Sequence, residues 1–447
     1  MGVTIPRHVP KVDLAPWERP APSDRAARSE AIEARIHRAA ARIGDENLRR
    51  LFVNTLPNTL DTTLILGGSD ERPDTFVLTG DIHAMWLRDS TAQIWPYLSS
   101  VTADPHLDCI IRGVIHRQSE QVLLDPYANA FLASETDDTE WTSDETDMRP
   151  GVHERKWEPD SHAAFCRLAS GYWQATHSAR PFDAGWCAAL DLVLTTLRTE
   201  QRRDGTTPYR FNRPQGDPTD FVPNGGRGAP TRPNGMVHGA FRPSDDACLL
   251  PLNVPVNLAL AAALEQVAPV ASAVNATDCA TRALALAAEI RAGVASDGGA
   301  DVWAYEVDGL GGSVRMDDAN APSLLALPYL GACRADDPRY LATRRWVLSA
   351  DNPWRFSGAA ARGIGSPHTG PRRIWPIALA MQGLTASTAS ERLACVRMLG
   401  ATHAGSYLAH ESFDADDPKV FTRPWFAWAN SLVGELLERA ALEGLLE

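Results

Sequence analysis

The chain has little cysteine and no paired cysteine motif. Seven cysteines are scattered singly through 447 residues, and none forms a C-x-x-C pair. A disulfide framework or a cysteine-bound zinc site needs such clusters, so the pattern predicts reduced thiols, as in a cytoplasmic protein. The chain also lacks a run of 18 apolar residues and an apolar leader segment after Met1, which predicts a soluble protein that neither spans nor binds a membrane.

Positive charge is scarce as well. Lys and Arg number 43 against 56 Asp and Glu, which gives a formal net charge of −13. Nucleic acids and anionic membrane surfaces attract basic proteins, so neither is expected as a partner. The phosphate-binding G-x-x-x-x-G-K-[ST] motif, the nucleophilic G-x-S-x-G motif and the metal-binding H-E-x-x-H motif are missing, and we therefore expect no cofactor and no metal.

What the sequence has in quantity is helical periodicity. Apolar residues recur at helical spacing in about a dozen segments, and few runs alternate with the period of a strand. The segments include 87–100, 106–122, 184–202, 251–267, 276–295, 321–331, 337–349, 374–386, 389–401 and 424–445. Long loops rich in Gly, Pro, Asp and aromatic residues separate them at 124–159, 203–246, 296–320, 351–373 and 403–424.

Loops of that length in a compact protein are usually functional. The pattern therefore predicts an all-α fold, an (α/α)6 toroid whose active-site loops lie at one end. We expect a proline-rich arm at 1–22 to precede a single catalytic domain at 23–447.

The densest cluster of reactive side chains follows an apolar lead-in at 76–78. Asp81, Trp86, Arg88 and Asp89 fall within nine residues, just before an apolar helix. Carboxylates and a guanidinium bind hydroxyl groups in pairs, and an indole ring covers the C–H face of a sugar. These residues indicate a pocket for a polyhydroxylated ligand. The alternative is a helix start capped by Asp89, with Arg88 paired to a neighbour.

A second loop places Arg242 close to the pair Asp245 and Asp246. Ser244 or Asp245 would suit the N-cap of a following helix. One acid is enough for a cap, however, and the second one beside an arginine favours a catalytic role.

Glu411 is the most unusual carboxylate in the C-terminal part of the chain. It lies between His410 and Phe413 in aromatic surroundings, where an unpaired carboxylate is costly, and this indicates a function for it. His410 would suit a metal, yet no second ligand motif completes such a site. Two other loops carry further polar candidates, for which structural roles are the alternative: Asp317, Asp318, Asn320 and His368.

An ordered series of strings runs from about residue 30 to residue 440: TGDIHAMWLRDSTAQIWPYL, PYANAF, ERKWEPDS, GGRG, GAFRPSDDA, MDDANAPSLLALPYLG, ARGIGSPHT, IWPIALAMQGL, HESF and FTRPWFAWANSL. This series resembles glycoside hydrolase family 125. The resemblance implies an exo-acting α-1,6-mannosidase on an (α/α)6 barrel, metal-independent and inverting. It also implies a general acid in RPSDD, either Asp245 or Asp246, and a general base in HESF, Glu411. By analogy with other toroidal glycosidases we prefer Asp245 as the acid.

Inverting hydrolysis needs one protonated carboxyl and one ionised carboxyl on opposite faces of the sugar, ~6.5–9.5 Å apart. Asp245 and Glu411 lie on different loops and can face each other, and the neighbouring charge of Asp246 would raise the pKa of Asp245. The terminal sugar is expected to bind Asp81, Arg88, Asp89, Arg242, Asp317, Asp318, Asn320 and His368, and to stack on Trp86 and Trp425.

The predicted substrate is a mannose-terminated oligosaccharide, and two alternatives stay open. An inverting phosphorylase on the same toroid would need no base, so Glu411 speaks against it. A mannoside-binding protein with a dead site would need to lose an acid or a base, and both strings are complete. The sequence does not predict the oligomeric state.

Overall fold

A computed structural model describes residues 17–447, which form fourteen α-helices and thirteen short strands. The helices are α1 Glu30–Ala40, α2 Glu46–Thr55, α3 Asn58–Thr62, α4 Leu87–Ile94, α5 Pro105–Leu124, α6 Pro159–Thr176, α7 Ala184–Glu200, α8 Pro223–Gly226, α9 Val254–Ala273, α10 Thr277–Asp297, α11 Pro338–Val347, α12 Pro376–Leu384, α13 Ala389–Thr402 and α14 Ala427–Leu442. The strands are β1 Leu64–Gly68, β2 Pro73–Val77, β3 Met85–Trp86, β4 Ala130–Phe131, β5 Val152–Glu154, β6 Leu252–Asn253, β7 Glu306–Val307, β8 Ser313–Val314, β9 Arg355–Ser357, β10 Arg362–Ile364, β11 Arg373–Ile374, β12 Ser412–Asp414 and β13 Phe421–Thr422.

The helices form an inner and an outer ring. Most residues of α4, α6, α9, α12 and α14 are buried, as expected for helices enclosed on all sides. The outer helices, among them α7, α10 and α13, bury one face and expose the other. This arrangement confirms the predicted (α/α)6 toroid.

One predicted helix is wrong. The segment at 321–331 takes the sixth inner position as a series of turns. Asp317 stabilises its start, because its two carboxylate oxygens accept the backbone N–H groups of Leu324 and Leu325 at 2.8 and 3.0 Å.

The inner helices begin at the same end of the ring. Short strands lead directly into them: β3 into α4, β6 into α9, and β13 towards α14. The outer helices α1, α2, α5 and α7 are capped by their own side chains, whereas α4, α6, α12 and α14 begin without a side-chain cap. The positive ends of these four helix dipoles therefore favour acidic groups at this end.

Helix α9 is long and apolar enough to cross a membrane, but 83% of that stretch is buried inside the protein, as in a core helix. Residues 1–16 of the predicted arm lie outside the described residues. Its last part contacts the domain, since the Trp17 ring stacks on Trp425 with centroids 6.1 Å apart and Arg19 pairs with Glu33 and Asp61.

Candidate active site

Arg88 lies at the centre of a buried polar cluster at the start of the inner helices. Its guanidinium donates to Glu158 Oε2 at 2.6 Å, to Asp160 Oδ2 at 3.1 Å and to Asp245 Oδ1 at 3.1 Å. Asp89 Oδ2 lies 3.4 Å from the Arg88 Nε atom. Burial opposes the charge of Arg88, but the carboxylates around it hold its pKa well above the usual range.

Asp245 is the carboxylate of this cluster that reaches the central opening. Its side chain is 23% exposed, whereas those of Glu158 and Asp160 are fully buried. Lys156 Nζ donates to the Asp245 carbonyl at 2.8 Å and holds the residue in a left-handed conformation, with φ of 64°. Burial would raise the pKa of Asp245, but Arg88 and a hydrogen bond from Glu158 lower it below its usual range.

The alternative of a helix cap at Ser244 or Asp245 is wrong. The next helix, α9, begins only at Val254, and the side chain of Asn253 caps it. A helix cap therefore does not explain the left-handed backbone and the partial exposure of Asp245.

Asp246 points away from the opening towards His368. The His368 Nδ1 atom lies 2.9 Å from Asp246 Oδ1, and Asp246 itself is buried. Burial lowers the pKa of His368, but Asp246, and then Glu411 and Asp245, raise it to about 9. The imidazolium is therefore close enough to both loops for each predicted catalytic carboxylate to raise its pKa. Of the two aspartates, Asp245 has the geometry of an acid that meets a ligand.

Glu411 lies directly before β12, on a different loop from Asp245. Its backbone N–H is shared between the carbonyl groups of Thr422 and Arg423, each at 3.3 Å, so the strand pair β12–β13 fixes its position. Arg423 Nη1 lies 3.7 Å from Glu411 Oε1, and the same guanidinium donates twice to Asp81 Oδ1, at 2.8 and 2.6 Å.

A buried polar chain connects the two loops. Arg423 Nη2 donates to the Thr79 carbonyl at 3.3 Å, and the Thr79 hydroxyl donates to Asp89 Oδ1 at 2.9 Å. Asp89 in turn lies beside Arg88, which holds Asp245. The chain thus links Asp245 to Glu411 and places an arginine next to each of them.

Arg242 and Asp317 have structural roles where contacts with a sugar were predicted. Arg242 is buried and forms a two-bond pair with Glu306, at 2.6 and 3.0 Å. Both oxygens of Asp317 are taken by backbone N–H groups, and burial raises its pKa to about 8. The Nε and Nη2 atoms of Arg242 and both carboxylate oxygens of Asp317 are thus engaged inside the protein.

Asp318 and Asn320 are also engaged inside the protein. Asn320 Nδ2 donates to Asp318 Oδ1 at 3.1 Å, and the Ser366 hydroxyl donates to Asp318 Oδ2 at 3.0 Å. Both residues are buried, so the structure places them beneath the Asp246–His368 pair rather than at the opening.

The two predicted stacking rings differ in what surrounds them. The Trp425 ring is covered by Trp17, and its Nε1 donates to Asn58 Oδ1 at 2.8 Å. The buried Trp86 ring meets His153 edge-on, with centroids 5.4 Å apart, and its indole N–H has no partner within 17–447.

Sequence reasoning missed four charged residues of the site: Lys156, Glu158, Asp160 and Arg423. The string ERKWEPDS carries five charged residues directly before an apolar helix. Charges at the start of a buried helix must be paired. That requirement could have identified Lys156, Glu158 and Asp160 from the sequence.

Over the described range, no group of three or more His, Cys, Asp or Glu side chains is arranged to hold a metal ion. The reactive groups of the site are therefore its carboxyls, its arginines and the imidazolium of His368.

The Asp246–His368 pair predicts a pH-dependent stability. A histidine whose pKa rises from 6.5 to about 9 on folding stabilises the protein fully below pH 6.5 and loses this effect as pH rises through 9. We expect the difference in unfolding free energy between wild type and His368→Asn to shrink by about 3 kcal/mol from about pH 6 to about pH 10. Urea unfolding at several pH values measures it, and a difference independent of pH would contradict a charged His368.

A family model described as metal-independent alpha-mannosidase (GH125) matches residues 45–438. The Meiotically up-regulated gene 157 protein of Schizosaccharomyces pombe is 39% identical over 457 residues, which cover 96% of this chain and 90% of that protein.

Two solved structures are similar to the fold. One is a metal-independent α-mannosidase of Streptococcus pneumoniae in a non-productive complex with α-1,6-mannobiose, 38% identical, with a TM-score of 0.89 over 93% of this chain and 99% of that chain. The other is a family 78 rhamnosidase of Bacillus sp. GL1, 13% identical, with a TM-score of 0.53 over 88% of this chain and 34% of that chain. At this identity the second likeness shows the fold alone.

Proposed function

The chain belongs to glycoside hydrolase family 125, the metal-independent α-mannosidases, and on that premise we propose that it is an exo-acting α-1,6-mannosidase that works with inversion. The proposed substrate is an oligosaccharide with a non-reducing terminal α-1,6-linked mannose. The Streptococcus pneumoniae relative, which was solved with α-1,6-mannobiose, supports this linkage.

The observation that carries the proposal is a pair of partly exposed carboxyls, from two different loops, that both act on His368. The side chains of Asp245 and Glu411 are 23% and 10% exposed, and both carboxylates raise the pKa of His368. They are held at the two ends of the polar chain through Arg88 and Arg423 rather than in contact with each other. Inversion requires space for a sugar and one water between the two carboxyls, and their attachment to two different arginines is compatible with it.

We assign the general acid to Asp245 and the general base to Glu411. Glu411 takes a proton from a water molecule while the water oxygen bonds to C1 of the terminal mannose. The bond between C1 and the glycosidic oxygen breaks, and Asp245 delivers a proton to that oxygen. An α-linked mannose is released as β-mannose, with one proton passing from water to Glu411 and one from Asp245 to the leaving oxygen.

The cavity beneath the polar cluster supports exo action. Below Arg88 and Asp160, alanines of the inner helices leave a cavity of about 50 Å³. Ligand pockets have volumes of about 300–1,000 Å³, so no sugar ring fits through the axis of the toroid. We assign the binding of the terminal hydroxyl groups to Asp81 and His368. Both are polar side chains beside the catalytic pair that keep exposed atoms.

An NMR time course on α-1,6-, α-1,3- and α-1,2-mannobiose tests the proposal. We expect fast release of mannose from the 1,6-linked disaccharide only, with the β anomer appearing first and no dependence on phosphate. Initial appearance of the α anomer would contradict inversion. A preference for another linkage would contradict the proposed substrate.

A further inference from the structure

Four carboxyls surround a single guanidinium at the start of α4 and α6. Besides Asp245, the side chains of Glu158, Asp160 and Asp89 all lie within 3.4 Å of a nitrogen of Arg88. Lys156 adds a second positive charge, but its ammonium group contacts Asp220 Oδ1 and the Asp245 carbonyl. Three of these four carboxyls are buried, and so much negative charge around one arginine favours a proton on at least one of them.

Glu158 is the member best placed to hold that proton. It is 1% exposed, and it lies within hydrogen-bond reach of Asp245. Burial and the Asp245 charge together raise the pKa of Glu158 well above its usual range. The polar and titratable groups that face it come from five elements: Arg88, Asp160, Asn129, Asp245, Cys248 and Tyr209.

We propose that Glu158 is a positioning residue that stores the proton Asp245 delivers, because one guanidinium clamps both carboxyls into a pair that shares a proton. This role rests on the proposed glycosidase function and deepens it.

The proton path is balanced at each step. In the free enzyme, the proton is bonded to Glu158 and hydrogen-bonded to Asp245. When the glycosidic oxygen approaches, the Glu158 O–H bond breaks and an Asp245 O–H bond forms. Asp245 then gives the proton to the leaving oxygen as the C1–O bond breaks, and solvent restores one proton to the pair after the product leaves.

Glu158→Gln tests this role, because glutamine keeps the shape and a hydrogen bond to Asp245 but stores no transferable proton. We expect hydrolysis of α-1,6-mannobiose to fall by about 10²-fold or more, within the range of one proton transfer. A dinitrophenyl α-mannoside, whose leaving group departs without a proton, should lose less than about 10-fold. Equal losses on both substrates would overturn the proposal in favour of a purely structural role.

Asp160→Asn is the matched control. It removes another buried charge from the same guanidinium, but Arg88 holds it through a different nitrogen from Asp245. The ratio of the activity on α-1,6-mannobiose to that on the dinitrophenyl α-mannoside should stay as in wild type. If the ratio changes as much as in Glu158→Gln, the effect belongs to Arg88 and the proposal is wrong.

The pH profile gives a second readout that a structural role would not move. The basic limb of kcat/KM reports loss of the shared proton, and in Glu158→Gln only Asp245 remains to hold it. That limb should move down by at least about one pH unit. Should the glutamine variant fail to fold, Glu158→Asp keeps an acid at the position but shortens it by one methylene, which separates it from Asp245. The basic limb should again move down, and an unchanged limb would overturn the proposal.

The two failures are distinguishable. If wild type hydrolyses neither substrate, the proposed function is wrong. If wild type is active and Glu158→Gln matches it on both substrates, only the stored proton is wrong.

Discussion

Glu411→Gln is expected to lower turnover of α-1,6-mannobiose by about 10³-fold or more while the disaccharide still binds. An amide cannot take the proton from the attacking water, and a positioned base is worth about 10²–10⁴-fold in rate. The fold should persist, because the position of Glu411 depends on its backbone N–H and on the β12–β13 pairing. Steady-state kinetics measure the loss, and calorimetry with mannobiose measures the retained binding.

Asp416→Asn is the control for that variant. Asp416 lies in the same loop, but its side chain is exposed and pairs with Arg372, away from the opening. Its turnover should stay within about twofold of wild type, as for most surface substitutions. Adding azide to Glu411→Ala with a dinitrophenyl α-mannoside should restore activity and form the β-azide, because a small anion needs no base. Full activity in Glu411→Gln would remove Glu411 from the mechanism.

Local pattern predicted most of the toroid. Helical spacing gave α5, α7, α10, α12, α13 and α14 with bounds close to those observed, because each of these segments buries a continuous apolar stripe. The same pattern failed at 321–331, where the chain forms turns. Periodicity reports which side chains are buried, and a buried turn segment has the same signal as a buried helix.

The candidate site was predictable only in part, because a sequence does not show partners across loops. Arg242 looks like a free cation next to two aspartates, yet Glu306 binds it from 64 residues away. Asp317 looks like a loop acid, yet it caps a segment that begins seven residues later. Trp425 has the pattern of a sugar platform, and Trp17 from the N-terminal part covers its ring. For Arg242 and Trp425 the cause is a contact between distant segments, whereas for Asp317 it is a cap within its own loop.

The choice between the two aspartates shows what the coordinates add. From the sequence, either member of RPSDD could be the acid, and the neighbour was expected to raise its pKa. In the structure Asp246 is turned towards His368, and Arg88 and a hydrogen bond from Glu158 lower the pKa of Asp245, so that expectation is wrong. The partner of the acid thus comes from another loop and not from the adjacent residue.

Asp245→Asn is therefore expected to change the ratio of the activities on two substrates more than any other variant. Hydrolysis of α-1,6-mannobiose should fall by about 10³-fold, because the leaving oxygen departs unprotonated, and a dinitrophenyl α-mannoside should lose less than about 10-fold. The ratio of the two kcat/KM values, measured at one pH, is the readout.

Asp246→Asn provides the comparison at the adjacent position. It removes the partner of the imidazolium but leaves Asp245 with Arg88 and Glu158, so both substrates should slow by a similar factor. If Asp246→Asn shows the dependence on leaving group and Asp245→Asn does not, the acid is Asp246, and the exposure of Asp245 has another cause. The two variants carry the same chemical change at adjacent positions, so a general loss of stability cannot produce that contrast.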